Sequence, residues 1–200
     1  MASVMTCRLC VLTTFMLAGC TSVPPTPPPP NPAVAAAESI FETGPGPYTF
    51  NCNVPSGFYN ERNVHTPREG FVVKGLLRFI GIQSDARWIP FAAVEVAGPN
   101  RMSNVGVILD VDPYQPGKIL LGIRSGFHNH GKPTAFATLP YSNVAIPFEL
   151  SVIEPGKLTA SFGEYKSMAT FPETDLTRVR MTCGTAHVQF SNVVVTVLSK

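Results

Sequence analysis

The two aspartates of Asp110-Val111-Asp112 are spaced so that they could do acid and base chemistry together. On an extended strand, residues two apart point to the same face and lie about 7 Å from each other, a separation suited to glycosidic bond cleavage. Residues 113–117 then read as a Pro-Gly turn, where aspartates commonly cap and solvate the backbone. The spacing predicts either a carboxylate pair or two turn-capping side chains, and we favour the second interpretation.

Two histidines, His128 and His130, lie in a segment bounded by glycines. Imidazoles at i and i+2 could share a zinc ion, but a zinc site needs a third ligand and groups that orient the ligands. They could also supply the base of a lyase, with Arg124 and Lys132 close by in the sequence. We favour a solvated loop, so the sequence predicts no metal site, no cofactor and no catalytic residue.

Aromatic side chains offer a third kind of chemistry. Trp88, the only tryptophan, lies between two predicted strands, and Tyr59 and Tyr114 also fall at predicted strand ends or turns. Exposed Trp and Tyr rings combine an apolar face with a polar tip, which suits stacking on sugars. The alternative for Trp88 is packing at the edge of the sandwich, and for this residue alone we favour that interpretation. The candidate ligand-binding residues are therefore Trp88, Tyr59, Tyr114, Asp110, Asp112, His128 and His130.

Composition and motifs exclude several classes of protein. Hydrophobic residues make up 44% of the 200-residue chain, enough for a sizeable core. The 15 basic and 13 acidic side chains nearly balance, and no Lys or Arg run occurs, which argues against nucleic acid as a partner. The absence of Gly-x-Ser-x-Gly, phosphate-loop and His-Glu-x-x-His motifs disfavours serine hydrolases, nucleotide enzymes and zincins.

The first 19 residues have the layout of a secretory signal, with Arg8 followed by a short apolar stretch. Small residues then lead to a cysteine, and Leu17-Ala18-Gly19-Cys20 resembles the lipobox of bacterial lipoproteins. This resemblance implies cleavage before Cys20 and a lipid on its thiol, which would hold the protein to a membrane. Thr21 stands where an aspartate would mark inner-membrane retention in the enterobacterial pattern, so the expected address is the outer membrane of the bacterial cell envelope.

A proline-rich stretch follows the predicted lipid. Residues 23–32 read as a polyproline II rod, a semi-rigid spacer of roughly 30 Å. The alternative is a PxxP ligand for another protein. The run Gly44-Pro45-Gly46-Pro47 is expected to end any regular secondary structure that precedes it. The predicted organisation is a signal peptide at 1–19, a lipid-anchored tether at 20–47 and one folded domain at 48–200.

The predicted export of the protein divides its five cysteines into three groups. Cys7 and Cys10 would leave with the signal peptide, and Cys20 would take the lipid. Cys52 and Cys183 remain as an even pair in an oxidising envelope, where a disulfide is the expected state. Such a bond would place the first strand of the domain beside one of the last. Two buried free thiols are the alternative.

From Tyr48 onward the hydrophobic period is two, which is typical of β-strands. Over residues 70–79 the odd positions are apolar or Gly, while the even ones include Lys74 and Arg78. Residues 104–112 alternate in the same way, and a bulge is expected near Asn192 in the last strand. About ten strands with turns every eight to twelve residues predict an all-β fold, a two-layer antiparallel sandwich with one polar face per strand.

The order of these parts resembles the concanavalin A-like jelly rolls of lectins and glucanases. The resemblance is carried by a first strand at 48–54, a middle strand at 148–152, a hairpin arm at 156–163 and the closing phrase Phe190-Ser191-Asn192-Val193-Val194-Val195. The glucanases have a Glu-x-Asp-x-x-Glu pattern, whereas the third acid is missing after Asp110 and Asp112.

Three functions remain open. The resemblance and the missing catalytic set favour a lectin-like, non-catalytic module that binds a glycan or another envelope component. The first alternative is a polysaccharide lyase or hydrolase of the same sandwich class. The second is a structural or assembly lipoprotein that binds protein partners.

Overall fold

The computed structural model describes residues 41–42, 44, 46–66, 70–83, 88–98, 103–112, 115, 117–127, 133–171 and 176–198. The predictions on the signal peptide, Cys20, the proline-rich spacer, Tyr114, His128 and His130 lie outside these residues. Within them the secondary structure is β-strand throughout, and no helix is long and apolar enough to cross a membrane.

The described residues form thirteen strands. They are β1 (Phe41–Glu42), β2 (Tyr48–Asn53), β3 (Tyr59–His65), β4 (Phe71–Ile82), β5 (Phe91–Ala97), β6 (Ser103–Val111), β7 (Lys118–Phe127), β8 (Thr134–Pro140), β9 (Ile146–Val152), β10 (Lys157–Phe162), β11 (Tyr165–Thr170), β12 (Arg178–Gly184) and β13 (Ala186–Val197). The short strand β1 lies before Tyr48, so the sheet includes residues that the sequence assigns to the tether.

The strands form two sheets that pack face to face. The seven-stranded sheet has the order β1-β3-β12-β5-β6-β7-β8, and the six-stranded sheet has the order β11-β10-β9-β4-β13-β2. Neighbours are antiparallel except for β1 and β3. Because consecutive strands repeatedly change sheet, the fold is a jelly-roll sandwich, and the predicted fold class is confirmed.

The core between the sheets follows from the alternation of side chains. On β4 the residues Phe71, Val73, Leu77 and Phe79 are buried, as the period of two predicts. The expected irregularity in the last strand is also present, because the register of β13 shifts around Asn192, which has a φ of 52°.

The prediction of one solvated polar face per strand is wrong for the centre of the seven-stranded sheet. All seven residues of β12 are buried, and so are both faces of β5 after its first residue. The second face carries polar groups that are nevertheless shielded from water, among them Glu95 and Arg180. The second face of these two strands is therefore partly polar but shielded from water.

A disulfide joins the two sheets. Cys52 on β2 of the six-stranded sheet is bonded to Cys183 on β12 of the seven-stranded sheet, with 6.1 Å between their Cα atoms. The predicted pairing is confirmed. In the chain-entropy description, closing a loop of more than a hundred residues stabilises the fold by about 5 kcal/mol.

Candidate functional site

One face of the seven-stranded sheet points away from the core, and we call it the outer face. Residues directly opposite each other on antiparallel strands share a face, so the register defines rows across it. Two such rows span β3, β12, β5, β6 and β7. The charged row is Asn63, Arg180, Glu95, Gly106 and Arg124; the aromatic row is Tyr59, Gly184, Phe91, Asp110 and Leu120. The rows are four residues apart on each strand, which corresponds to about 13 Å.

The charged row is centred on Glu95, which is 1% exposed. Its Oε1 atom accepts hydrogen bonds from Nε and Nη2 of Arg124, at 2.9 and 2.5 Å. Its Oε2 atom accepts from Nε and Nη2 of Arg180, at 3.2 and 2.6 Å. The amide of Asn104 adds a bond of 2.8 Å to Oε1. Two arginines, each donating two N–H groups to one carboxylate oxygen, thus compensate one buried carboxylate.

The aromatic row is far more open. Tyr59 is 46% exposed on β3, and Phe91 is partly buried two strands away. A Cβ atom at Gly184, which lies between them, would come within 2.3 Å of the Phe91 ring. Since real Cβ atoms do not approach so closely, only glycine at this position lets the ring lie against the sheet.

Trp88 lies at the same end of the sheet and is 47% exposed. Its indole packs on Gly57, where a Cβ atom would lie 3.1 Å from Nε1 of the ring. Gly57 is in the turn between β2 and β3, directly before the exposed ring of Phe58 and the first residue of β3, Tyr59. We call Phe58, Tyr59, Trp88 and Phe91 the aromatic end. Two of the predicted site residues, Trp88 and Tyr59, are therefore brought together.

Asp110 joins this end, because it is paired directly with Phe91 in the register of β5 and β6. Burial raises the pKa of its carboxyl group to about 6, and the nearby positive charge of Arg124 partly opposes the rise. The group can therefore accept hydrogen bonds as a carboxylate at neutral pH and become neutral under mild acid.

Asp112 does not share that environment. Its Oδ1 atom accepts a hydrogen bond of 3.2 Å from the backbone N–H of Gln115, and its own N–H donates to the carbonyl of Lys118. These contacts cap the turn that follows β6. Asp110 and Asp112 thus have different surroundings, since the first lies in the aromatic row and the second caps a turn.

The centre of the charged row was not found from the sequence. Arg124 and Arg180 are 29 and 85 residues from Glu95, so nothing local connects the three. The available signal was one acid inside an otherwise apolar strand, Phe-Ala-Ala-Val-Glu-Val-Ala. A charge at a position with apolar neighbours on both sides predicts a buried partner of opposite sign.

Comparison with known proteins supports the fold of this chain but does not assign the chain to a family. No protein-family model matches the chain, and neither does any curated protein. Among solved structures, the CBM2 module of Lactobacillus casei BL23 phage J-1 evolved Dit aligns at a TM-score of 0.54 and 8% identity, over 77% of this chain and 80% of that one. Scytalido-glutamic peptidase with a peptide based transition state analog aligns at 0.51 and 10%, over 70% and 79%. At such identities the likeness shows a shared β-sandwich fold and nothing further.

Proposed function

We propose that the domain is a lectin-like, non-catalytic module that binds a glycan at its aromatic end. The observation that carries the proposal is the exposure of two large rings close together, Trp88 packed on the turn between β2 and β3 and Tyr59 at the start of β3. Aromatic rings of this kind present an apolar surface on which the C–H faces of sugars stack. Asp110, in the same row, supplies an acceptor for sugar hydroxyl groups.

The charged row is less accessible to a ligand than the aromatic end. Glu95 and Arg180 are almost fully buried and already satisfy each other, so a ligand would have to break strong hydrogen bonds to reach them. The rings of the aromatic end are accessible without any rearrangement, and pre-formed sites of this type cost the least entropy on binding.

Binding by the full chain can be measured by titration calorimetry against laminarin, dextran and alginate. We expect Trp88→Ala to weaken binding of the tightest of these about tenfold, because a buried aromatic contact contributes on the order of 1–2 kcal/mol. Met168→Ala is the matched control, since Met168 is also exposed but lies on β11 of the other sheet. Equal affinity for the parent and Trp88→Ala would refute the proposal.

We further propose that the module is held to the outer membrane by a lipid on Cys20. The order of signal, lipobox and proline-rich spacer supports this, and the Cys52–Cys183 disulfide is compatible with an oxidising compartment. Cys20→Ser should release the protein from the membrane fraction to the soluble one. Mass spectrometry of the parent should show cleavage before residue 20 and an acylated cysteine; an unmodified cysteine would contradict the anchoring.

Cleavage of a polysaccharide is the second candidate, and one observation favours it. A carboxyl group whose pKa is about 6 can exchange protons near neutral pH, as a general acid or base must. Release of reducing or unsaturated ends from the same three polysaccharides, abolished in Asp110→Asn, would establish this function. Binding without any such release would leave the non-catalytic module.

A further inference from the structure

The chain passes from one sheet to the other through a single residue, Thr185, which lies between the end of β12 and the start of β13. Its φ of 52° places it in the left-handed region, which β-branched residues rarely adopt. A glycine would take this conformation without strain. A strained threonine at such a place indicates that its side chain contributes something that glycine cannot.

The contacts of Thr185 show what that contribution is. Its backbone N–H donates to the carbonyl of Phe58 at 3.0 Å, and its Oγ1 accepts from the N–H of Gly57 at 3.2 Å. Its carbonyl accepts from the N–H of Gln83 at 3.1 Å. One buried residue therefore fastens two successive residues of the turn between β2 and β3.

This turn carries the aromatic end. The Trp88 indole rests on Gly57, and the exposed Phe58 and Tyr59 follow directly. Gly184, the residue before Thr185, is covered by the Phe91 ring. The ring contact excludes any side chain at position 184, and the hydroxyl group that reaches the turn comes from the next residue, Thr185.

We propose that Thr185 is a positioning residue that fixes the Trp88 ring in its ligand-binding orientation, an inference that rests on the proposed glycan site. The branch at Cβ restricts rotation of the side chain, so the hydroxyl group stays aimed at the Gly57 N–H. Holding Gly57 holds the surface on which the indole lies. A ring that is already oriented loses less conformational entropy when a sugar stacks on it.

Trp88 is the only tryptophan, so its fluorescence reports this position directly. Thr185→Gly removes both the backbone strain and the hydroxyl group. We expect a midpoint of urea unfolding equal to or above that of the parent, together with stronger quenching of Trp88 by acrylamide. Affinity for the best of the three polysaccharides should fall about fivefold, because binding then has to immobilise the side chain of Trp88. A residue with a merely structural role would change stability and affinity in the same direction.

Two controls complete the experiment. Thr185→Ser keeps the hydroxyl group but loses the branch at Cβ, so its quenching and affinity should lie between those of Thr185→Gly and those of the parent. Asn192 also has a φ of 52°, and it lies at an exposed position of β13, about 20 Å along the strand from Thr185. Asn192→Gly relieves the strain there and should change neither the quenching nor the affinity. Parent-like quenching and affinity in Thr185→Gly would overturn the role of Thr185. Increased quenching in that variant, with no polysaccharide bound by the parent, would overturn the glycan site while supporting the positioning of Trp88.

Discussion

The charged row and the aromatic row lie on the same face of the same sheet, about 13 Å apart, yet they differ in their relation to water. In the charged row, Glu95 is buried and both of its oxygens are engaged by arginines. In the aromatic row, Tyr59 is about half exposed, and Trp88 beside the row is exposed to a similar degree. The buried ion pairs thus lie at one end of the face, whereas the exposed rings lie at the end with few charges.

The difference shows why the position of charge is a poor guide to a site in this fold. A buried ion pair holds its partners by strong, directional bonds and has little left for a ligand. An exposed ring has no such bonds to break, so its apolar area remains available. The three predictions below test this division, from the largest expected effect to the smallest.

The largest effect should come from Glu95→Gln. The substitution keeps the shape of the side chain but removes the buried negative charge that Arg124 and Arg180 share, which costs about 3–5 kcal/mol of unfolding free energy. Urea unfolding followed by circular dichroism measures it. The matched control is Glu149→Gln, which breaks an exposed pair with Lys74 and should cost under about 1 kcal/mol. Similar losses in both variants would show that the charged row is not the stabilising element.

An intermediate effect concerns Asp110 and pH. Its pKa is raised from 3.8 to about 6 by folding, so the folded state holds the proton more tightly than the unfolded state. Below about pH 4 the carboxyl group therefore does not lower the free energy of unfolding. As the pH rises through about 6, the free energy of unfolding falls by about 2–3 kcal/mol. Asp110→Asn should unfold at higher urea than the parent at pH 7.5, and the two should converge at pH 4. A constant difference across this range would contradict the assigned pKa.

The smallest effect on stability should come from Trp88→Ala. The ring is 47% exposed, so its removal should change the unfolding free energy by under about 1 kcal/mol, even though binding falls. Urea titration of the variant beside Glu95→Gln compares the two ends of the face directly. A loss from Trp88→Ala as large as that from Glu95→Gln would mean that the aromatic end is part of the core and not a surface for a ligand.

The sequence alone determined the class of fold, because the period of two in stretches such as β4 and the turn residues between them leave few alternatives. It also predicted the disulfide that the structure shows, since Cys52 and Cys183 are the pair left when Cys7 and Cys10 are expected to be cleaved off and Cys20 to carry a lipid. Both features depend on local pattern or on counting, which need no knowledge of which strands become neighbours.

Only the tertiary structure decided which residues meet on the outer face. The meeting of Glu95 with Arg124 and Arg180 depends on the order of strands in the sheet, and alternation does not encode that order. The role of Thr185 depends on a turn 128 residues away along the chain. Strand pairing and burial arise from the packing of the whole chain, so a single sequence names the candidate residues but does not say which of them share an open surface.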